Sequence, residues 1–239
     1  SLVQQGAREL ILIGQDTIAY GKDLRNPHNP NANPNLFALL QELNRIEELQ
    51  WIRVMYTYPT RLADELLLAY QSLPKLVHYL DLPLQHLSDP ILERMRRGTP
   101  YQKIKNHVFR LRQAIPDLII RSTCIVGFPG ETQEDFSLLF QRFNELDVDH
   151  LGVFSYSDED GTLAYDLDQK ISPEIAGNRR EELIDWACKR SSRKAAGHLG
   201  TIKYVLVDAI VDRPGPFQVR LKKGGSWYVG RWYGQAPDI

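Results

Sequence analysis

Apolar residues follow two alternating rhythms along the first two-thirds of the chain. Short β-branched or leucine-rich runs at 9–14, 51–56, 76–84, 118–126 and 151–156 are bounded by Gly, Pro, Asn or Asp, the texture of buried strands. Between them the period lengthens. Leu36, Leu39, Leu40 and Leu43 recur at helical spacing, as do Leu62, Leu66 and Ala69 or Tyr70 behind a Thr60 cap. Asp89-Pro90 opens a helix that ends in Arg94, Arg96 and Arg97 before Gly98, and Thr99-Pro100 opens another running to about Ala114. Thr132 and Asp135 form a capping box ahead of Phe136, Leu139, Phe140, Phe143 and Leu146. A charged helix holding Ile175, Leu183, Ile184, Trp186 and Ala187 follows from Ser172-Pro173 to about Gly197. After Gly200 the pattern turns to period two at 204–211, 217–221 and 226–232.

Repeated strand–helix units predict an α/β fold with parallel strands and right-handed crossovers. Five strands are too few to close an eight-stranded barrel, which leaves an open or partial parallel (β/α) barrel or a doubly wound sheet. The expected division is a barrel over 1–170, a linking helix over 171–198 and a small antiparallel β-module over 199–239. The module mixes Arg220, Lys222, Lys223 and Arg231 with Phe217, Trp227, Tyr228, Trp232 and Tyr233. That set could hold RNA by charge and stacking, or it could be a solvated face over an aromatic core.

The chemistry of such folds sits at the carboxyl ends of the strands. There the sequence gathers Gln15, Asp16, Tyr56, Tyr58, Gln85, His86 and the turn Gly127-Phe128-Pro129-Gly130-Glu131, with Arg121 and Thr123 inside the fourth strand. Two glycines around Phe-Pro allow a sharp turn or a close backbone approach to a ligand. Polar side chains, aromatic rings and backbone amides on one rim suit a nucleoside-sized ligand. His86 alone reads as readily as a capping or core histidine. Arg121 in an apolar strand needs an anionic partner.

Composition removes several alternatives. Lys+Arg 29 against Asp+Glu 30 gives no reason to expect a nucleic-acid polyanion as the main partner. No apolar run approaches a membrane span, and no signal-peptide pattern is present. Cys124 and Cys188 are the only cysteines and read as small buried hydrophobes of a reducing compartment. The CxxC, HExxH, GxGxxG and Walker patterns are all absent.

Several segments taken together resemble the radical S-adenosylmethionine methylthiotransferases. They are Gly14-Gln-Asp-Thr-x-x-Tyr-Gly21, Tyr58-Pro59, Asp81-Leu-Pro-Leu-Gln-His86, Met95-Arg-Arg97 and Arg121-Ser-Thr-x-Ile-Val-Gly-Phe-Pro-Gly-Glu131. Tyr228-Val-Gly-Arg231 and Ala236-Pro-Asp-Ile239 look like the small TRAM-type β-barrel that ends that family. Gln15-Asp16 and Gln85-His86 favour the branch (the RimO type) that adds a methylthio group to the β-carbon of an aspartate in a small-subunit ribosomal protein.

The resemblance implies a cytoplasmic transferase with a partial barrel that binds S-adenosylmethionine at its rim. An iron–sulfur cluster cleaves the cofactor to a deoxyadenosyl radical, and a second 4Fe–4S cluster helps deliver the methylthio group. The family's CxxxCxxC motif lies upstream of the first strand seen here, so the chain is expected to be a fragment of a larger enzyme, inactive alone. With only Cys124 and Cys188 it is expected to bind neither cluster. Gly127, Phe128, Pro129, Gly130, Tyr58 and Thr123 are the implied cofactor contacts. Gln15, Gln85, His86, Arg97 and Arg121 are the implied cavity residues, with Arg97 or Arg121 receiving a carboxylate. A bulky residue at Gly127 or Gly130 is expected to intrude on the rim. The β-module is expected to dock the ribosomal protein, with ribosomal RNA contact compatible. Two rivals are a tRNA (adenosine) methylthiotransferase and an RNA- or protein-binding scaffold module. A cluster-free TIM-like lyase or aldolase would need a strand-end Lys for Schiff-base chemistry, which is missing.

Overall fold

In the computed structural model, residues 2–24, 34–58, 64–212, 219–223 and 226–237 are described. Five strands form one sheet in the order β1-β2-β3-β4-β5, every neighbouring pair parallel. They are β1 Glu9–Leu12, β2 Trp51–Val54, β3 Leu76–Asp81, β4 Ile119–Val126 and β5 His150–Ser155. The order never reverses, so this is a singly wound sheet and the doubly wound alternative falls away, because that arrangement needs a switch point. The connecting helices are α1 Leu36–Asn44, α2 Asp64–Ser72, α3 Asp89–Arg94, α4 Tyr101–Ala114 and α5 Gln133–Glu145.

Period-two alternation sorts the strand side chains into two faces. Leu10, Leu12, Ile52, Val54, Leu76, Leu80, Ile120, Cys124, Val126 and Val153 join the helices in the main core. Met55, Val77, Tyr79 and Ile119, with Ile11 and Trp51 against them, form a second cluster on the opposite face. Predicted strand ends overshoot on β2 and β3: Tyr56 (φ 55°) takes a left-handed conformation that ends the extended run after β2, and Pro83, lacking an N–H, cannot continue the ladder after β3. The capping box stands as read. Asp135 N–H donates to Thr132 Oγ1 at 3.1 Å, and Thr132 N–H to the Asp135 carboxylate at 3.0 Å. At α3 the cap is Ser88, one residue earlier than the sequence suggests. The Asp89 carboxylate instead accepts the Tyr101 N–H that opens α4, at 2.6 Å. Thr60 and Leu62 fall outside the described residues, as do residues 25–33 ahead of α1.

A 24-residue helix, α6 (Pro173–Ala196), then packs on β5, β4 and α5. Cys188 on this helix is exposed, contrary to the expectation of a buried hydrophobe, whereas Cys124 is buried in β4. The strands β6 Val205–Val211, β7 Val219–Lys223 and β8 Ser226–Trp232 form an antiparallel sheet in the order β6-β8-β7.

The end of that small sheet closes the second face of the large one. Trp232, Tyr233 and Ala236 pack on the Met55, Val77, Tyr79 and Ile119 cluster. Arg53, 0 % exposed, points the same way: its Nε donates to Glu9 at 2.9 Å and its Nη1 to the Tyr233 carbonyl at 2.9 Å. Arg231 pairs with Glu9 at 2.9 Å and with Asp208 at 2.8 Å. A buried guanidinium survives only when its charge and its N–H groups are met in this way.

Candidate active site

The fourth strand delivers its chain into Gly127-Phe128-Pro129-Gly130-Glu131 at the carboxyl end of the sheet. Both glycines are left-handed, at φ 73° and 87°. Their N–H groups are used within the protein: Gly127 donates to Glu131 Oε2 at 2.9 Å and Gly130 to the Gln169 carbonyl at 2.9 Å. A Cβ on Gly127 would lie 2.4 Å from Ala176 Cβ on α6, and one on Gly130 would lie 2.7 Å from Arg94 Nε. At Gly127 added bulk would therefore meet α6 rather than the expected rim, whereas at Gly130 it would meet Arg94, whose side chain stands at the rim. The space beside them is filled by α6 and by Arg94, so the glycines set how closely turn and helix pack.

Glu131 fastens the turn. Its fully buried carboxylate takes the Gly127 N–H and pairs with Arg179 of α6 at 2.7 Å. His86 Nε2 stands 3.5 Å from the same carboxylate, and His86 Nδ1 accepts the Ser88 N–H at 2.9 Å. At 0 % exposure His86 belongs to the support beneath the turn rather than to a substrate cavity. The bland reading of this residue is the one its surroundings match.

A cavity of about 350 Å³ opens beside the turn, within the range of small-molecule sites. Gln85, Arg94, Met95, Arg96, Arg97, Ile125, Phe128 and Tyr156 line it, with Leu163, Ala164 and Leu167 from the segment after β5. Gln85 is held by two backbone bonds to β4, its N–H to the Thr123 carbonyl at 2.9 Å and its carbonyl from Ile125 N–H at 2.6 Å. Phe128 meets Tyr156 edge to face at 5.0 Å between centroids. Burial, with help from Asp158, pushes the Tyr156 phenol up to about 12, so it stays protonated, and its O–H donates to the Asp158 carboxylate at 2.8 Å. Arg94 ties the wall together through the Pro129 carbonyl at 3.0 Å and Asp168 at 2.8 Å. The Arg97 guanidinium sits 5.4 Å from the Tyr58 ring centroid, a cation–π geometry.

Arg121 lies on the strand face shared with Tyr79. The parallel register sets it opposite Asp81, and the two approach to 3.5 Å. The anion its apolar strand demands is therefore supplied by the protein. Burial pushes the Asp81 carboxyl above its ordinary value, while the Tyr56 N–H at 2.9 Å and Arg121 pull it back. Thr123 is half-buried and lends its carbonyl to Gln85, and Gln15 is exposed in the turn after β1. The cavity thus unites Gln85, Arg97 and Phe128, with Tyr58 under Arg97 and Pro129 bonded to its wall. It leaves His86 and Arg121 elsewhere. Leu163 and Leu167 lie in an irregular segment, and only their spacing of four hinted at a shared face.

In size, aromatic walls and donors the cavity fits a nucleoside-bearing ligand such as S-adenosylmethionine. The chain does not fit an iron–sulfur cluster, since Cys124 is buried in β4 and Cys188 lies out on α6. Among the described residues no three His, Cys, Asp or Glu side chains are grouped to hold a metal. No described helix is long and apolar enough to cross a membrane. In the β-module Arg231 is ion-paired with Glu9 and Asp208, and Trp232 and Tyr233 pack on the apolar cluster, as the aromatic-core reading expects of these three. Phe217 lies outside the described residues.

Comparison with known proteins agrees with this placement. The Radical SAM superfamily profile matches residues 3–143. The chain is 37 % identical over 238 residues to the ribosomal protein uS12 methylthiotransferase RimO of Acetivibrio thermocellus, covering 100 % of this chain and 49 % of that protein. For the proteins of the same name from Geobacter sulfurreducens and Thermotoga maritima the identities are 41 % and 39 %, covering 50 % and 51 % of each relative and 100 % of this chain. The chain therefore spans about half the length of the curated relatives it matches. Among solved structures, coproporphyrinogen III oxidase (HemN) of Escherichia coli, a radical SAM enzyme, superposes with a TM-score of 0.53 at 19 % identity, covering 64 % of this chain and 37 % of that one. Elp3 of Methanocaldococcus infernus gives 0.53 at 17 % identity, covering 75 % and 44 %.

Proposed function

Because this chain belongs to the radical SAM superfamily, we propose that it is the barrel and terminal module of a methylthiotransferase acting on the β-carbon of an aspartate in a small-subunit ribosomal protein. The observation that carries this reading is the 37–41 % identity, running the whole length of the chain, to proteins named uS12 methylthiotransferase. A modifier of ribosomal protein works where ribosomes are, which supports a cytoplasmic setting. The division into a partial barrel over 1–170, a linking helix over 171–198 and a TRAM-like module over 199–239 is supported by the singly wound sheet, α6 and the antiparallel sheet.

S-adenosylmethionine bound in the cavity supplies the radical chemistry needed to open an unreactive C–H bond. This chain's residues bind and orient. Ile125, Phe128 and Tyr156 offer apolar and aromatic surface to a nucleoside, and Gln85 presents its amide to the cavity. The Gly127–Glu131 turn, fixed by Glu131 and Arg179, holds Phe128 and Pro129 in place. Leu163 and Leu167 add apolar surface along one side. The two 4Fe–4S clusters belong to the rest of the parent enzyme in this reading.

The test is mass spectrometry of ribosomal proteins and of tRNA nucleosides from a strain lacking the parent gene. Loss of the methylthio mass from the small-subunit protein is expected. Its retention, with loss of a methylthio group from a tRNA adenosine, overturns the substrate assignment.

A further inference from the structure

The arginines around the cavity divide into those that are paired and those that are not. Arg94 pairs with Asp168, Arg121 with Asp81, and the supporting Arg179 with Glu131. Arg96 and Arg97 line the cavity, and neither has a carboxylate within ion-pair distance among the described residues. Two adjacent cations left uncompensated repel each other, and the chain as a whole is close to neutral. Their backbone is also specially shaped. Arg96 is left-handed (φ 56°), its N–H bonded to the Glu93 carbonyl at 2.9 Å, while the Arg97 N–H reaches back to the Leu92 carbonyl at 2.8 Å. This irregular turn at the end of α3 brings the Arg97 guanidinium over Tyr58, a strand away. A cation–π partner uses the charge of a guanidinium and not its N–H groups, which remain available for a two-pronged bond to a carboxylate.

We propose that Arg97, held in cation–π range of Tyr58 and seconded by Arg96, is the specificity-determining receptor for the carboxylate of the substrate aspartate. The inference rests on the proposed aspartate substrate and adds how that side chain is recognised. Arg121, the other arginine considered for a carboxylate, is already paired with the buried Asp81. Arg96 is exposed and Arg97 half-buried, so both stand at the mouth, where an incoming polypeptide meets them first. A carboxylate could also come from the amino-acid end of the cofactor, and the experiment separates the two sources.

Calorimetric titration of the intact parent protein supplies the test, with three probes: a synthetic loop peptide carrying one aspartate, its asparagine counterpart, and S-adenosylmethionine. A charge-assisted bidentate bond makes the aspartate peptide tighter by about tenfold or more in the unmodified protein. Arg97→Gln is expected to shrink that ratio to near one, Arg97→Lys to keep part of it because charge without the planar fork remains, and both to leave cofactor affinity unchanged. Arg110→Gln, which removes a surface partner of Asp64 far from the cavity, should behave like the unmodified protein. A ratio that persists in Arg97→Gln, or an unmodified protein that does not prefer aspartate, overturns the proposal. So does a loss of cofactor affinity in Arg97→Gln with the peptide ratio intact, which would make the cofactor the carboxylate's source. The titrations need no turnover, so they can fail while the proposed reaction holds, or hold while it fails.

Discussion

Adding one methyl group at Gly127 tests whether this glycine serves close packing. Gly127→Ala carries two costs that the structure separates. The first is conformational: at φ 73° an alanine pays about 1–2 kcal/mol for the left-handed backbone. The second is steric. The new Cβ would lie 2.4 Å from Ala176 Cβ and 3.1 Å from Ala176 Cα, and neither atom can swing aside because both are fixed to α6. Forcing one methylene's worth of bulk into such a place costs about 1–3 kcal/mol. The sum, about 2–5 kcal/mol, is a large part of a typical domain's stability of about 5–15 kcal/mol. Gly98→Ala is the matched control. Its φ of 38° is also positive, but nothing lies within 4 Å of the added Cβ, so only the conformational cost applies, about 1 kcal/mol. Ala176→Gly should cost about 1 kcal/mol alone through helix propensity. Combined with Gly127→Ala it removes the nearest clashing atom, so the pair should lose about 1–3 kcal/mol less than the sum of the singles. Urea unfolding with the midpoint and slope compared across the cycle measures this. Additive losses, or a Gly127→Ala no worse than Gly98→Ala, would refute the packing argument.

Two further outcomes follow from the electrostatics. Arg121→Gln leaves the nearly buried Asp81 carboxylate without its cation and should destabilise by about 3 kcal/mol near neutral pH. The Asp81 pKa already lies above its ordinary value, so the folded state holds its proton more tightly than the unfolded chain. Its ionisation costs stability as pH rises, and the variant's deficit should therefore shrink as pH falls through the raised folded value. Denaturant curves between acid and neutral pH check it, and a pH-independent deficit would show that Asp81 is not the group involved. Glu145 behaves oppositely. Bonds from Lys105, Tyr101 and Gln141 hold its carboxyl down to about 2, so its contribution is present above the unfolded value and lost as pH falls toward about 2. Lys105→Met should move the Glu145 titration up toward the ordinary carboxylate range in an NMR experiment, and an unmoved titration would sink that assignment.

Much of the fold was legible because the governing interactions are local. Period-two and helical spacing marked every strand of the large sheet, and Thr132 with Asp135 announced α5 four residues ahead of its apolar stripe. The end of β2 was less legible, since nothing about Tyr56 as a residue type signals a left-handed backbone. The site was legible in part. The motif residues Gln85, Arg97 and Phe128 do meet at one cavity. What sequence could not give are partners joined only by register or docking. Asp81 faces Arg121 across forty residues because β3 and β4 are parallel in one particular register. Arg53 and Arg121 are both arginines in apolar strands, but only Arg121 drew attention. Arg53 is the more deeply buried, and its partners lie at Glu9 and beyond residue 230.

The contact between the two sheets bears on what the terminal module can be. A domain that swings freely to capture a partner should touch the rest through few, weak contacts. Here Arg53 donates to the Tyr233 and Gln235 carbonyls, His150 Nε2 lies 2.9 Å from the Gly234 carbonyl, and the Tyr233 hydroxyl donates to Asp117 at 3.0 Å. Burial lowers the His150 pKa, which favours the neutral ring whose N–H can serve the Gly234 carbonyl. Together with Trp232 and Tyr233 in the apolar cluster, these bonds seal the sheet face around Tyr79, leaving the cavity walled by Gln85, Arg97 and Phe128 as the polar opening beyond the strands' carboxyl ends.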